Sequence, residues 1–129
     1  MYLDHSAIAA VLLKGEGWSD IARRIEDHRG KLIISPISYC QAVRAIAGDN
    51  PTSDTIGKAS EIVSEFLKEA SVQTVTISTA QTRAAIEVQQ DHLEQPGAAV
   101  LALDEMMILG VAKSFRSGVL ATGGRFADI

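Results

Sequence analysis

Carboxylates are where chemistry enters this chain. Asp4 closes the short apolar run Met1-Tyr2-Leu3, and a helical pattern, His5-Ser6-Ala7-Ile8, follows at once. An apolar strand that ends on a carboxylate places that charge at the carboxyl edge of a sheet, where open α/β folds meet their ligands. Asp104 and Glu105 are the second acidic feature, because they interrupt the otherwise apolar stretch from Ala98 to Phe115. A buried carboxylate is costly unless it gains a cation, hydrogen-bond donors or a raised pKa. Leu101, Glu105 and Leu109 share a helical face by their four-residue spacing, which turns Glu105 inward and leaves Asp104 beside it. Acids converging at a sheet edge form the oxygen-rich site that Mg²⁺ or Mn²⁺ prefers, and such an ion activates water and stabilises a phosphoryl transition state. The structural alternative has Asp4 capping the first helix and Glu105 pairing with an Arg or Lys. Spacing favours neither.

Other reactive side chains carry weaker signals. His5, His28 and His92 have no metal-ligand spacing with one another, and only His5 adjoins an acid of interest. Cys40, the single cysteine, lacks a nearby base and reads as a small buried side chain. Gly123-Gly124 resembles half of a phosphate loop, but no Lys-Ser or Lys-Thr follows, so it reads as a turn. Ser6 has two readings, a helix N-cap or a hydroxyl that orients the neighbouring carboxylate. Arg116 and Arg125 are the cations expected to reach an RNA phosphate, against an ordinary solvated role.

The elements that must position these groups alternate. Met1 to Leu3, Lys31 to Ile34, Val72 to Ile77 and Gly118 to Ala121 are short and β-rich, while the segments between them repeat at three and four residues. Such β-α alternation implies a parallel sheet. Ser6 to Leu13 forms a short helix stopped near Gly15, and Trp18, Ile21, Ala22 and Ile25 mark the face of a second, so the two make a hairpin. Pro36 opens a third helix that Gly48 closes. Pro51 opens a long amphipathic helix to Ala70, and Ser78 with Gln81 has capping-box spacing for a helix running out near Pro96. The last helix, Ala98 to Phe115, is apolar nearly all round and is expected to be buried.

With 129 residues, 47% of them hydrophobic, residues 1–129 make one domain with a single core. The formal charge of −4 argues against a generally basic nucleic-acid binder. No secretory signal pattern and no apolar run of about 20 residues is present. One cysteine gives no intramolecular disulfide and no thiolate zinc site, and a cytoplasmic protein without membrane association is expected.

The chain resembles the PIN-domain family, specifically the VapC-type ribonuclease toxins of VapBC toxin–antitoxin systems. The matching blocks are Leu3-Asp4-His5-Ser6-Ala7-Ile8, Ile34-Ser35-Pro36-Ile37-Ser38-Tyr39-Cys40-Gln41-Ala42, Leu103-Asp104-Glu105 through Val111-Ala112-Lys113, and Leu120 to Ile129. The resemblance implies a three-layer α/β/α sandwich with a short, mostly parallel sheet. It also implies a metal-dependent ribonuclease with an RNA substrate, an antitoxin partner and a homodimer built on the first hairpin and the 51–70 helix. The family's metal site has four acids. Asp4 matches the first, Gln41 replaces the second with a neutral amide, and Glu105 or Asp104 stands at the third. Gly124 falls near the fourth, with Asp128 beyond it. The implied site is therefore catalytic Asp4, Glu105, Gln41 and Ser6, with Mg²⁺ or Mn²⁺ held weakly by Asp4, Glu105 and Asp104. With two acids gone, two classes stand level: a weak ribonuclease, and an inactive PIN-fold binding protein that dimerises and engages an antitoxin-like partner. The expected geometry is convergence of Asp4, Gln41 and Glu105 at the carboxyl edge of the sheet.

Overall fold

The computed structural model describes residues 1–123 and Phe126. Four two-residue strands, β1 (Tyr2–Leu3), β2 (Ile33–Ile34), β3 (Gln73–Thr74) and β4 (Val119–Leu120), pair in the order β3-β2-β1-β4, and every pairing is parallel. Six helices connect them: α1 (His5–Leu12), α2 (Trp18–Asp27), α3 (Pro36–Ala47), α4 (Ser53–Glu69), α5 (Thr79–Leu93) and α6 (Leu103–Ser114).

Strand periodicity divides the core. Successive strand residues face opposite sides of a sheet, so Leu3, Ile34 and Leu120 enter one apolar cluster with Ala7, Ile8, Ile21, Ile25, Ala42, Val63 and Leu67 from α1 to α4. Tyr2, Ile33 and Val119 point the other way, toward Ile108, Val111 and Ala112 of α6. Helices thus cover both faces, giving the α/β/α sandwich, and α5 forms its outer layer by packing on α6. The α5–α6 contact is close: a Cβ at Gly110 would lie 2.5 Å from the backbone of Ala85.

Local signals set most helix ends. Asp4 caps α1, and Lys14 takes a positive φ just after it. Pro36 occupies the first turn of α3, where its missing N–H is no loss, and Gly48 ends that helix at a φ of 90°. Thr52, one residue past Pro51, caps α4 reciprocally with Thr55. The Ser78 N–H donates to Gln81 Oε1 at 2.9 Å, the reciprocal half of the expected capping box.

Three expectations fail. The last helix begins at Leu103 rather than near Ala98, because the Gln89 side chain of α5 takes the backbone of Leu101, accepting from its N–H at 2.9 Å and donating to its carbonyl at 3.0 Å. Nor is that helix buried all round: Leu103 is 70% exposed, and burial is confined to Ile108, Gly110, Val111 and Ala112 on the flank facing the sheet and α5. Cys40 is exposed, not buried. It lies two residues from both Ser38 and Ala42, the buried positions of α3, and a helix turns such a residue to the opposite side.

Candidate functional site

Asp4 leaves the carboxyl end of β1 with no solvent exposure. Its Oδ2 accepts from the Ser6 N–H at 3.1 Å and from the Ser6 hydroxyl at 2.6 Å, and His5 Nδ1 lies 3.5 Å away. Burial pushes the carboxyl pKa up, but the His5 and Ser6 contacts outweigh it and hold the group below its usual value. Asp4 is thus an ionised, buried acid, and it caps the helix as the structural alternative expects. Ser6 is not the cap. Its hydroxyl also accepts from the Thr122 N–H at 3.0 Å, so one side chain ties the Asp4 carboxylate to the segment leaving β4.

The second acid comes from α6. Gln41, in the second turn of α3, donates through Nε2 to Asp104 Oδ2 at 2.9 Å. Gln41 Oε1 is buried with no hydrogen-bond partner among the described residues. Glu105 is turned elsewhere: its Oε1 accepts from the Ala102 N–H at 3.2 Å and caps its own helix. The late-helix acid brought to Gln41 is Asp104.

His5 connects the two halves. It lines an open cleft of about 740 Å³ with Ser6, Leu13, Glu16 and Thr122, and a second of about 420 Å³ with Gln41, Arg44 and Asp49. Among the described residues no three His, Cys, Asp or Glu side chains gather closely enough to hold a metal ion. The candidate donor set, two carboxylates with an amide carbonyl, is all oxygen, and so of the kind Mg²⁺ and Mn²⁺ select. It fits in chemistry while falling short in charge.

Beneath this site lies a buried hydroxyl cluster that the sequence reading passed over. Tyr2 Oη sits 2.6 Å from both Ser35 Oγ and Ser38 Oγ, and all three residues are fully buried. Burial pushes the phenol pKa up. The sequence signal was available: Tyr2 and Leu3 alternate faces, and the Ser-Pro-x-Ser pattern sets Ser35 and Ser38 one turn apart.

Arg116 precedes β4 and so lies toward the amino edge of the sheet, the end opposite Asp4. Arg125, Gly124 and Asp128 lie outside the described residues, as does the final segment to Ile129. His28 Nδ1 contacts the Arg24 carbonyl oxygen at 2.8 Å on the surface, well away from the site.

A family profile described as PIN domain matches residues 1–129. A VapC ribonuclease of Rhizobium meliloti (strain 1021) is 28% identical over 136 aligned residues, covering 98% of this chain and 96% of that protein.

Proposed function

The chain belongs to the PIN-domain family, and from that premise we propose that it is a VapC-type ribonuclease toxin whose metal-assisted RNA hydrolysis is weakened by lost acids. The observation that carries this reading is Asp4, a fully buried carboxylate held ionised at the carboxyl edge of a parallel sheet. Asp4 and Asp104 would hold the ion, with Gln41 Oε1 as a neutral third oxygen. Glu105 is the alternative late-helix ligand if its cap opens. A bound Mg²⁺ or Mn²⁺ would supply an activated water and charge stabilisation at the phosphodiester.

The chain's own groups do the rest. Ser6 fixes the Asp4 carboxylate through two hydrogen bonds and ties it to Thr122, so the acid is preorganised. Gln41 competes for one Asp104 oxygen and brings no charge of its own, which favours weak metal binding, with Mn²⁺ ahead of Mg²⁺. The Gln41–Asp104 bond also supports a second reading, an inactive PIN-fold protein that dimerises and holds an antitoxin-like partner. In that case the amide stands permanently where a cation would sit. Both readings place the protein in the cytoplasm. No helix among the described residues is long and apolar enough to cross a membrane.

Titration calorimetry with each metal and a cleavage assay on structured RNA separate the readings. The toxin reading expects Mn²⁺-supported cleavage that Asp4→Ala abolishes. Cleavage absent at every metal concentration, and still absent in the double variant Gln41→Glu with Gly124→Asp, leaves only the binding protein.

A further inference from the structure

The cation expected beside the site, Arg116, enters β4 from the wrong edge of the sheet, yet the cleft next to the acids does hold one. Arg44 stands one turn after Gln41 on α3 and lines the same cleft of about 420 Å³ as His5 and Gln41. Arg44 is exposed and makes no ion pair among the described residues, whereas Arg23, Arg29, Lys58 and Lys113 are each bound to a carboxylate. Asp49 shares the cleft wall without pairing to it.

His5 lines the same cleft as Arg44, with its Nδ1 buried 3.5 Å from Asp4 Oδ2. A hydroxyl both donates and accepts, so an imidazole can hydrogen-bond it whichever ring nitrogen carries the proton. A guanidinium and an imidazole on one cleft suit a ligand that carries both an anionic group and a hydroxyl. A ribonucleotide offers both, a phosphate and, a few ångströms away, a 2′-hydroxyl.

We propose that the His5–Gln41–Arg44 cleft holds one nucleotide of a single-stranded RNA, with Arg44 on its phosphate and the His5 ring hydrogen-bonded to its ribose 2′-hydroxyl. This rests on the reading of the protein as acting on RNA, but it does not require that the acids be catalytically competent. Arg44 and His5 are positioning and specificity residues. They set which phosphodiester reaches Asp4 and whether the strand is RNA.

Binding measured in EDTA tests this apart from cleavage. The probes are a fluorescent single-stranded RNA oligonucleotide and the DNA of the same sequence. Arg44→Gln is expected to weaken binding of both by about tenfold and to reduce the slope of log affinity against log salt by about 1. Arg44→Lys should recover part of that loss, because it restores the charge without the planar fork. His5→Phe is expected to leave DNA binding unchanged and to weaken RNA binding about fivefold, so that the two probes converge. Arg23→Gln, on the exposed face of α2, serves as the charge control. Equal losses in Arg23→Gln and Arg44→Gln, or an RNA preference undiminished in His5→Phe, would overturn the assignment. So would an unmodified protein that binds neither oligonucleotide. Absence of metal-dependent cleavage with these binding effects intact would instead count against the ribonuclease reading alone.

Discussion

At the residue scale, the exchange of one acid for an amide has consequences on both sides of metal binding. Two carboxylates held together without a cation repel and raise each other's pKa, and Gln41 spares Asp104 that conflict by donating to it. Gln41→Glu should therefore lower the melting temperature of the metal-free protein and raise Mn²⁺ affinity by about tenfold, a gain of about 1.4 kcal/mol. Calorimetry in the presence and absence of Mn²⁺ reads both effects, and an unchanged affinity would remove Gln41 from the metal shell. Asp4 has a separate pH signature. Its pKa is lower folded than unfolded, so its stabilisation is present above the ordinary aspartate value of about 3.9 and is lost as pH falls through the depressed one. Asp4→Asn should then lose stability against the unmodified protein at neutral pH, with the gap narrowing only below about pH 4. The place of Asp4 between β1 and α1 was legible in the sequence, because an apolar strand ends there and a helical pattern begins; whether it caps the helix or holds a ligand was not. The choice between Asp104 and Glu105 was not. The periodicity that turned Glu105 inward counted Leu101 as helical, whereas α6 starts at Leu103 and leaves both acids in its first turn, where a carboxylate can serve the helix's own backbone.

At the element scale, β1 and α3 have to hold Asp4 and Gln41 in fixed relation, and the Tyr2 hydroxyl does this by bridging Ser35 and Ser38 at the entrance to α3. Ser35 precedes Pro36 at the cap position, but its hydroxyl makes no capping bond. It is committed to Tyr2. Tyr2→Phe keeps the ring in the core and strands two buried hydroxyls, so a loss of about 1–3 kcal/mol is expected in urea unfolding. A loss no larger than a few tenths would mean that the serines find new partners. The same substitution loosens the first turn of α3, one turn before Gln41, and Mn²⁺ binding should weaken with it. Most element types were legible because their periods differ: alternation over two residues in the strands, three-and-four spacing between them. What the pattern missed were tertiary effects. Gln89 holds Leu101 out of the last helix, and the packing of α6 against only the sheet and α5 leaves Leu103 in solvent.

At the scale of the whole molecule, the parallel sheet fixes which residues can cooperate. Everything following a strand's carboxyl end gathers at one edge, which brings Asp4, Ser35 and Thr122 to the same side and sends Arg116 to the other. Sequence order alone could not separate them, since Arg116 and Arg125 flank the same short strand. The outer faces pose the remaining question. Leu13 and Ile62 are 60% and 47% exposed on the side of α1 and α4, while Ile86, Leu93, Val100 and Leu103 are exposed on the side of α5 and α6. Isolated exposed apolar residues are ordinary, but a cluster marks a contact surface. A two-fold dimer presents one such patch to itself, which buries it twice with a single set of residues. We expect the purified protein to sediment as a dimer at micromolar concentration. On α5 and α6, Ile86 and Leu103 line an apolar cleft of about 210 Å³ with Ile77, Met106 and Met107. Leu103→Asp places a charge at its most open edge without touching the buried side of α6. It should shift the sedimenting species to monomer while the melting temperature stays nearly constant. Ile62→Asp makes the same change on the face formed by the hairpin and α4, the face the family resemblance associates with the dimer. Dissociation by Ile62→Asp alone would assign the two-fold contact there and leave α5 and α6 free. A monomer in the unmodified protein would rule out the dimer on either face.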